Sequence, residues 1–140
     1  MTSLAPQDLL HAVGLRRTKA REVVLSLLQS AHRPLTHQEV AASPTAASVD
    51  RVTLYRTLAA LQRAGLLHRV QGTDGAWRFC LHSGDAAGCP GNHAHFLCLE
   101  CGGMTCLTDQ PLPWIAVPDG VRVLGKQLVV HGICAGCAHD

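Results

Sequence analysis

The chain has 140 residues, a net charge of +2, 47% hydrophobic residues and 4% aromatics, which excludes general disorder and bounds it to one ordinary domain or two very small ones. Ten of the twelve Lys and Arg but only five of the ten Asp and Glu lie in residues 1–78, so that half carries +5 and the rest −3, while all seven cysteines fall between Cys80 and Cys137. No apolar run approaches the roughly 18 residues of a membrane span, and the start MTSLAPQDLLHAVGLRR lacks a basic segment followed by an apolar one, so a membrane protein and a secreted disulfide framework are excluded and a cytoplasmic location is expected.

Residues 7–13 and 17–30 carry helical signals. Val23, Val24, Leu27 and Leu28 form one apolar stripe, and the Thr18 hydroxyl is placed to cap the second helix by accepting an orphan backbone N–H. His32, Arg33 and Pro34 close that segment. Thr36 with Glu39 three residues later fits a capping box, so a short helix should follow, and the small residues around Pro44 in 41–48 read as a loop. The stretch SVDRVTLYRTLAALQRAGLL predicts a longer helix with Val52, Tyr55, Leu58, Leu61 and Leu66 facing inward and Gly65 as its stop. Arg51, Arg56 and Arg63 decorate this helix, with Asp50 the one acid nearby. The alternation in LLHRVQGTDGAWRFCL around Thr73-Asp74-Gly75 predicts a two-stranded hairpin. Helix, short helix, arginine-bearing helix and hairpin is the order of a winged helix-turn-helix, in which one helix reads the major groove and phosphate contacts fix its register. Taken singly, each arginine also fits a solvated helix face. The order of elements and the +5 charge together point to double-stranded DNA.

The second half reads as metal chemistry. Cys98 with Cys101 and Cys134 with Cys137 are two C-x-x-C pairs, and four thiolates so paired can surround one tetrahedral Zn²⁺. One such pair alone also fits a redox motif. Two pairs in a small domain without an export signal fit structural zinc. The 32 residues between the pairs exceed a zinc-ribbon gap, so much of the domain must lie between them. Further ligand types surround the first pair: His68, Cys80, His82, Cys89, His93, His95 and Cys106. His93 and His95 have the period-2 spacing that puts two imidazoles on one strand face. A mixed nitrogen and sulfur set favours Zn²⁺ over harder ions such as Mn²⁺. A lone histidine is more often a surface or core group, and Cys89 in SGDAAGCPGN also reads as an exposed thiol. Pro111, Pro113, Pro118 and Gly120 exclude a long helix before Gly120. VRVLGKQLVVHGIC predicts two short strands with Val121, Val123, Leu128 and Val130 as a buried face. About 60 residues make a marginal core, which structural zinc and dimerisation would support. No nucleophile–base pair or cofactor loop stands out and a four-Cys site has no open coordination position, so neither an enzyme nor a small-molecule substrate is expected.

GLRRTKAREVVLSLL, VTLYRTLAALQRAGLLHRV, HAHFLCLECG and VHGICAGC occur in that order from Gly14 to Cys137. Together they resemble the ferric uptake regulator superfamily, most of all its zinc uptake regulator branch. The resemblance implies an α+β protein with a winged-helix DNA-binding domain in 1–82, a linker in 83–92 and a small α/β dimerisation and metal-binding domain in 93–140. It implies a homodimeric, metal-responsive repressor that binds operator DNA when its regulatory site is loaded. Thr53-Leu54-Tyr55-Arg56 resembles the family's recognition-helix motif. Tyr55 and Arg56 are then the base readers, with Thr53 and Arg51 beside them, and Arg16, Lys19 and Arg21 stand where backbone contacts are expected. By the same resemblance Cys98, Cys101, Cys134 and Cys137 hold structural zinc, and His93 and His95 belong to the regulatory site. His68 and Cys80 complete that site, giving two Zn²⁺ per monomer. Five residues after Cys101, where the family often has an acidic ligand, stands Cys106; Cys106 and Cys89 are additional ligand candidates. An iron-, manganese- or peroxide-sensing regulator of the same family is the alternative. A thiol redox switch or metal-storage module using Cys80, Cys89 and Cys106 is the alternative of another class.

Overall fold

In the computed structural model, which describes residues 4–81 and 93–138, the first elements follow from their caps. Helix α1 (Pro6–Ala12) starts on a proline, whose missing N–H costs nothing in a first turn. Helix α2 (Lys19–Ala31) starts where the Thr18 hydroxyl accepts from the Arg21 amide at 3.2 Å. Strand β1 (Leu35–Thr36) leads into α3 (His37–Ala42). There the Glu39 amide donates to the Thr36 hydroxyl at 3.0 Å and the Thr36 amide donates to the Glu39 carboxylate at 2.9 Å, the capping box expected from the sequence. The predicted loop of 41–48 is more regular than expected: Pro44–Ala46 forms a 3₁₀ turn, started by a proline.

Helix α4 (Arg51–Arg63) is capped by Asp50, which accepts from the Thr53 amide at 3.1 Å. It stops at Gly65, whose φ of +86° is open to glycine at little cost. Strands β2 (Leu67–Gln71) and β3 (Trp77–Leu81) form the expected antiparallel hairpin, with His68 opposite Cys80. A third strand was not expected: β1 pairs with the other edge of β3, giving the order β1-β3-β2. The core of this unit, Met1–Gly91, joins Leu10, Val24, Leu25, Leu28, Val40, Leu54, Leu58, Leu61 and Phe79.

The predicted inward stripe of α4 holds at Leu58, Leu61 and Leu66, which are buried, and is corrected at Val52 and Tyr55, which are 57% and 62% exposed; Leu54 and Thr57 face the core with Leu58 and Leu61. Leu54 and Tyr55 both stand at helical spacing from Leu58, and the packing of α4 on α2 and α3 takes Leu54. Burying Tyr55 would also have removed its hydroxyl from water without an assured partner.

The hairpin turn holds a buried charge. Arg78 is 2% exposed and donates from both terminal nitrogens to Asp74, at 3.1 and 2.9 Å. That hydrogen-bonded guanidinium is the main reason the Asp74 carboxyl is held down at about 2 against an ordinary 3.8. A depressed carboxyl stabilises the fold above its ordinary pKa and stops doing so as pH falls towards the folded value. We therefore expect this contribution to disappear between pH 3.8 and about 2. Asp74→Asn should lower stability at neutral pH by about 1 kcal/mol, a modest value because the carboxylate is half in water. Denaturant melts at several pH values check both the loss and its absence from the variant.

The second unit, Asn92–Asp140, is a three-stranded sheet of order β5-β4-β6. Strands β4 (His93–Cys98) and β5 (Met104–Pro111) are antiparallel, and β6 (Val129–Gly132) returns parallel to β4. A parallel return needs a long connection; here it is residues 112–128, without helix or strand. Where two strands were expected in 121–134, only β6 forms. Residues 121–127 form no strand, and Leu128 meets the sheet through its carbonyl alone, which accepts from the His95 amide at 3.0 Å. The expected buried face of Val121, Val123, Leu128 and Val130 is also corrected, since these are 52%, 55%, 42% and 47% exposed. The buried apolar side chains are instead Ala94, Leu97 and Met104. A unit this small cannot cover both faces of a sheet from its own chain. Cys89 and the expected linker 83–92 lie outside the described residues. Among the described residues no helix is long and apolar enough to cross a membrane.

Candidate metal centres and nucleic-acid interface

The four-Cys cluster is assembled by strand register. Strand β4 delivers Cys98 to its end, and the chain turns back through Gly102, at a left-handed φ of +76°. The turn is closed by the Cys98 amide donating to the Gly103 carbonyl at 2.9 Å. The parallel pairing of β6 sets Gly132 opposite Cys98, so Cys134, two residues on, arrives beside the first pair. One sulfur from each of Cys98, Cys101, Cys134 and Cys137 lies within 4.8 Å of all the others, and the Cys101 and Cys134 sulfurs are 3.9 Å apart. Tetrahedral Zn–S bonds of about 2.3 Å place sulfurs about 3.8 Å apart, so the donor set fits zinc. The long sequence gap is thus closed by one parallel strand pair.

The electrostatics agree with a cation at this place. The Cys98 thiol is lowered from 9.0 to about 6, first by the Cys101 amide at 3.4 Å and then by the Cys134 amide at 3.3 Å, both aimed at its sulfur. The Cys137 thiol is pushed up to about 12, first by hydrogen bonding to the Cys134 sulfur, then by burial and by the Cys101 and Cys98 sulfurs. Four thiolates cannot coexist at neutral pH in such a cluster unless positive charge neutralises them.

The second ligand group lies in the second unit. On β4, His93 and His95 are each 2% exposed, with ring centroids 4.6 Å apart, and His95 pairs across the ladder with Cys106 of β5. One ligand atom from each of His93, His95 and Cys106 lies within 4.8 Å of the other two. A register shift between His93 and Ala94 lies in this strand. In the first unit, His68 is half-buried and stands opposite the buried Cys80. Neither metal-ligand group in the second unit contains a carboxylate.

On the DNA-binding side, the packing of α4 on α2 and α3 leaves Arg51, Val52, Tyr55 and Arg56 exposed on one face. Thr53 points its hydroxyl at Asp50, at 2.6 Å, and so works in the helix cap. Arg16 and Lys19 are exposed at the start of α2, while Arg21 is half-buried and donates to the Arg16 carbonyl at 2.6 Å. Two features escaped the sequence reading. His37 sits 3.2 Å from the Arg51 carbonyl and edge-on to Tyr55 at 5.8 Å between ring centroids, steadying the exposed face of α4. Arg69 lies over the Trp77 ring at 4.1 Å on the hairpin, a stacked cation facing solvent. The one available sequence signal for the latter was their cross-strand placement around the Thr73-Asp74-Gly75 turn.

Comparison with known proteins gives one consistent result. The Ferric uptake regulator family matches residues 12–116. A ferric uptake regulation protein of Bordetella parapertussis is 28% identical over 141 residues, covering 96% of this chain and 97% of that one. Among solved structures, a zinc-bound manganese uptake regulator superposes with a TM-score of 0.68 at 19% identity, covering 94% of this chain and 99% of that one. Holo XcZur superposes with a TM-score of 0.56 at 23% identity, covering 95% of this chain and 98% of that one. These likenesses carry the fold, a winged helix-turn-helix followed by a dimerisation domain, as the sequence led us to expect. The chain belongs to the Ferric uptake regulator family, whose members are metal-responsive, DNA-binding transcription regulators and not enzymes.

Proposed function

We propose that this regulator is a zinc-responsive repressor that binds operator DNA as a homodimer in the cytoplasm and controls genes of metal uptake. The observation that carries the zinc reading is the donor chemistry: among the described residues, the two groups placed to hold a metal are imidazoles and thiols with no carboxylate among them, and thiolate selects Zn²⁺ over Mn²⁺ or Fe²⁺. The winged unit binds the operator through Tyr55, Arg56 and Arg51, with Thr53 in the cap of the same helix and Arg16, Lys19 and Arg21 on the phosphates. Arg69, stacked on Trp77 and exposed on the hairpin, adds a further cation to the winged unit. Dimerisation is supported by the apolar surface of the second unit, where Trp114 and Leu124 are 83% and 86% exposed.

Two zinc ions per chain are proposed. Cys98, Cys101, Cys134 and Cys137 hold the structural one. His68, Cys80, His93 and His95 hold the regulatory one. Zinc bound by this set has a higher affinity for the DNA-competent state, and that differential affinity shifts the population towards the DNA-binding dimer.

The test is operator binding after chelation, with Zn²⁺, Fe²⁺ or Mn²⁺ added back. Zn²⁺ should restore it. Restoration by Fe²⁺ or Mn²⁺ and not by Zn²⁺ would overturn the zinc reading in favour of an iron or manganese regulator, the names carried by some relatives. Cys80→Ser should weaken the zinc response at least roughly tenfold, as expected when a metal site loses a member, and leave a hard-metal response unchanged. A thiol redox switch predicts something else: disulfide formation under mild oxidant that controls DNA binding at constant zinc.

A further inference from the structure

We propose that His37 is a positioning residue for base recognition: from the first position of α3 it holds the Tyr55 ring of α4 in the orientation that meets operator DNA. This role rests on the reading of Tyr55 as a base reader and deepens it, because an exposed ring needs something to order it before it can discriminate between bases.

The contact follows from two helix caps. The capping box of Thr36 and Glu39 fixes the start of α3 and makes His37 its first residue. The Arg33 guanidinium, 3.0 Å from the Glu39 carboxylate, holds that side chain from its other oxygen. At the start of α4, Asp50 accepts from the Thr53 amide at 3.1 Å and from the Thr53 hydroxyl at 2.6 Å. Both helix starts are thus pinned, and α3 packs on α4. His37 then reaches across the pair. Its Nε2 lies 3.2 Å from the Arg51 carbonyl, and a carbonyl only accepts, so Nε2 carries the proton and donates. Its ring meets Tyr55 edge-on, with centroids 5.8 Å apart and planes at 85°, the T-shaped arrangement that aromatic pairs prefer. The Arg51 carbonyl is also the helical acceptor for the amide four residues on, that of Tyr55. His37 therefore holds both the Tyr55 ring and the turn of backbone beneath it.

The consequence is for discrimination. Tyr55 is 62% exposed, whereas His37 is half-buried. Fixing a freely rotating side chain on binding costs free energy, and a ring ordered in advance has less of that cost left to meet. Unrelated DNA is gripped through its phosphates and needs no ring in one place. With Nε2 turned to the protein, His37 acts through Tyr55.

The experiment uses the full chain loaded with Zn²⁺. Tyr55 is the single tyrosine of the chain, so ring-labelled tyrosine reports on this side chain and no other. Without DNA, His37→Ala should shift the Tyr55 ring NMR signals towards those of a free tyrosine. On a duplex selected from a randomised pool by the unaltered chain, His37→Ala should lower affinity roughly 2- to 12-fold, the range expected for an aromatic pair. Affinity for an unrelated duplex and the slope of log affinity against log salt should stay unchanged. His37→Phe, which keeps a ring edge, should recover more of the loss than His37→Gln, which keeps a donor. In a Tyr55→Ala background, His37→Ala should cost nothing further, whereas a merely structural role would cost the same in both backgrounds. Tyr55 signals that stay in place in His37→Ala, or an equal loss in the Tyr55→Ala background, overturn the proposal. Equal losses on both duplexes with the salt slope reduced by about one would make His37 a phosphate contact and overturn it too. The two readings fail separately. If Tyr55→Ala leaves discrimination unchanged while the Tyr55 signals still move in His37→Ala, the base-reading role of Tyr55 falls and the contact stands. If Tyr55→Ala abolishes discrimination while His37→Ala moves neither signals nor affinity, the positioning role falls and the base reader stands.

Discussion

Replacing Cys98 with Ser should cost the second unit its structural zinc and, with it, its fold. Cys98 is 1% exposed, its sulfur accepts amides from both knuckles, and its strand end fixes where the other pair arrives. The unit has little else to hold it, with Ala94, Leu97 and Met104 as its buried apolar side chains besides the cysteine. Apparent binding free energies of structural zinc are about 10–16 kcal/mol, comparable to the whole stability of a small domain. We therefore expect both proposed zinc ions to be lost, since His93 and His95 stand on the same sheet, sheet signal and dimer to be lost with them, and the first unit to keep its own cooperative helical melt. Elemental analysis, circular dichroism and size-exclusion chromatography check the three parts. Full zinc content with an unchanged melt in Cys98→Ser would refute a structural role for this cluster.

Arg56→Ala should weaken operator binding by about 1–3 kcal/mol, roughly 5- to 150-fold, and relax specificity at one base pair, because a guanidinium can bond guanine bidentately. Arg56 is exposed beside Tyr55 on the face of α4 that the core leaves free. Lys19→Ala should act differently. It should weaken operator and unrelated DNA about equally and reduce the slope of log affinity against log salt by about one, the signature of a lost phosphate contact. Anisotropy titrations on operator and scrambled duplexes at several salt concentrations separate the two. Equal losses on both duplexes for Arg56→Ala would move this residue from base reading to backbone contact.

Much of the first unit was legible because its signals are local. Thr18, the Thr36–Glu39 box and Gly65 each act within one helical turn, and each does what its residue type predicts. The face of α4 was misread at Val52 and Tyr55 alone, because Tyr55 and Leu54 both stand at helical spacing from the buried Leu58. Only the neighbours α2 and α3 distinguish them. Strand β1, two residues long, carries no periodicity, and it exists because β3 offers an open edge.

The sequence by itself determined the composition of the chemistry: a basic half without thiols, two C-x-x-C pairs, and a histidine pair at strand spacing. Residue types and short spacings are covalent facts, and the caps and ligands they encode need few distant partners. The tertiary structure alone decided which groups meet. The parallel return of β6 brings Cys134 to Cys98 across a gap that no zinc-ribbon spacing covers, and the β4–β5 register sets Cys106 against His95 rather than leaving it a spare thiol. It also left Val121, Val123, Leu128 and Val130 exposed, because an apolar face is buried only where something covers it.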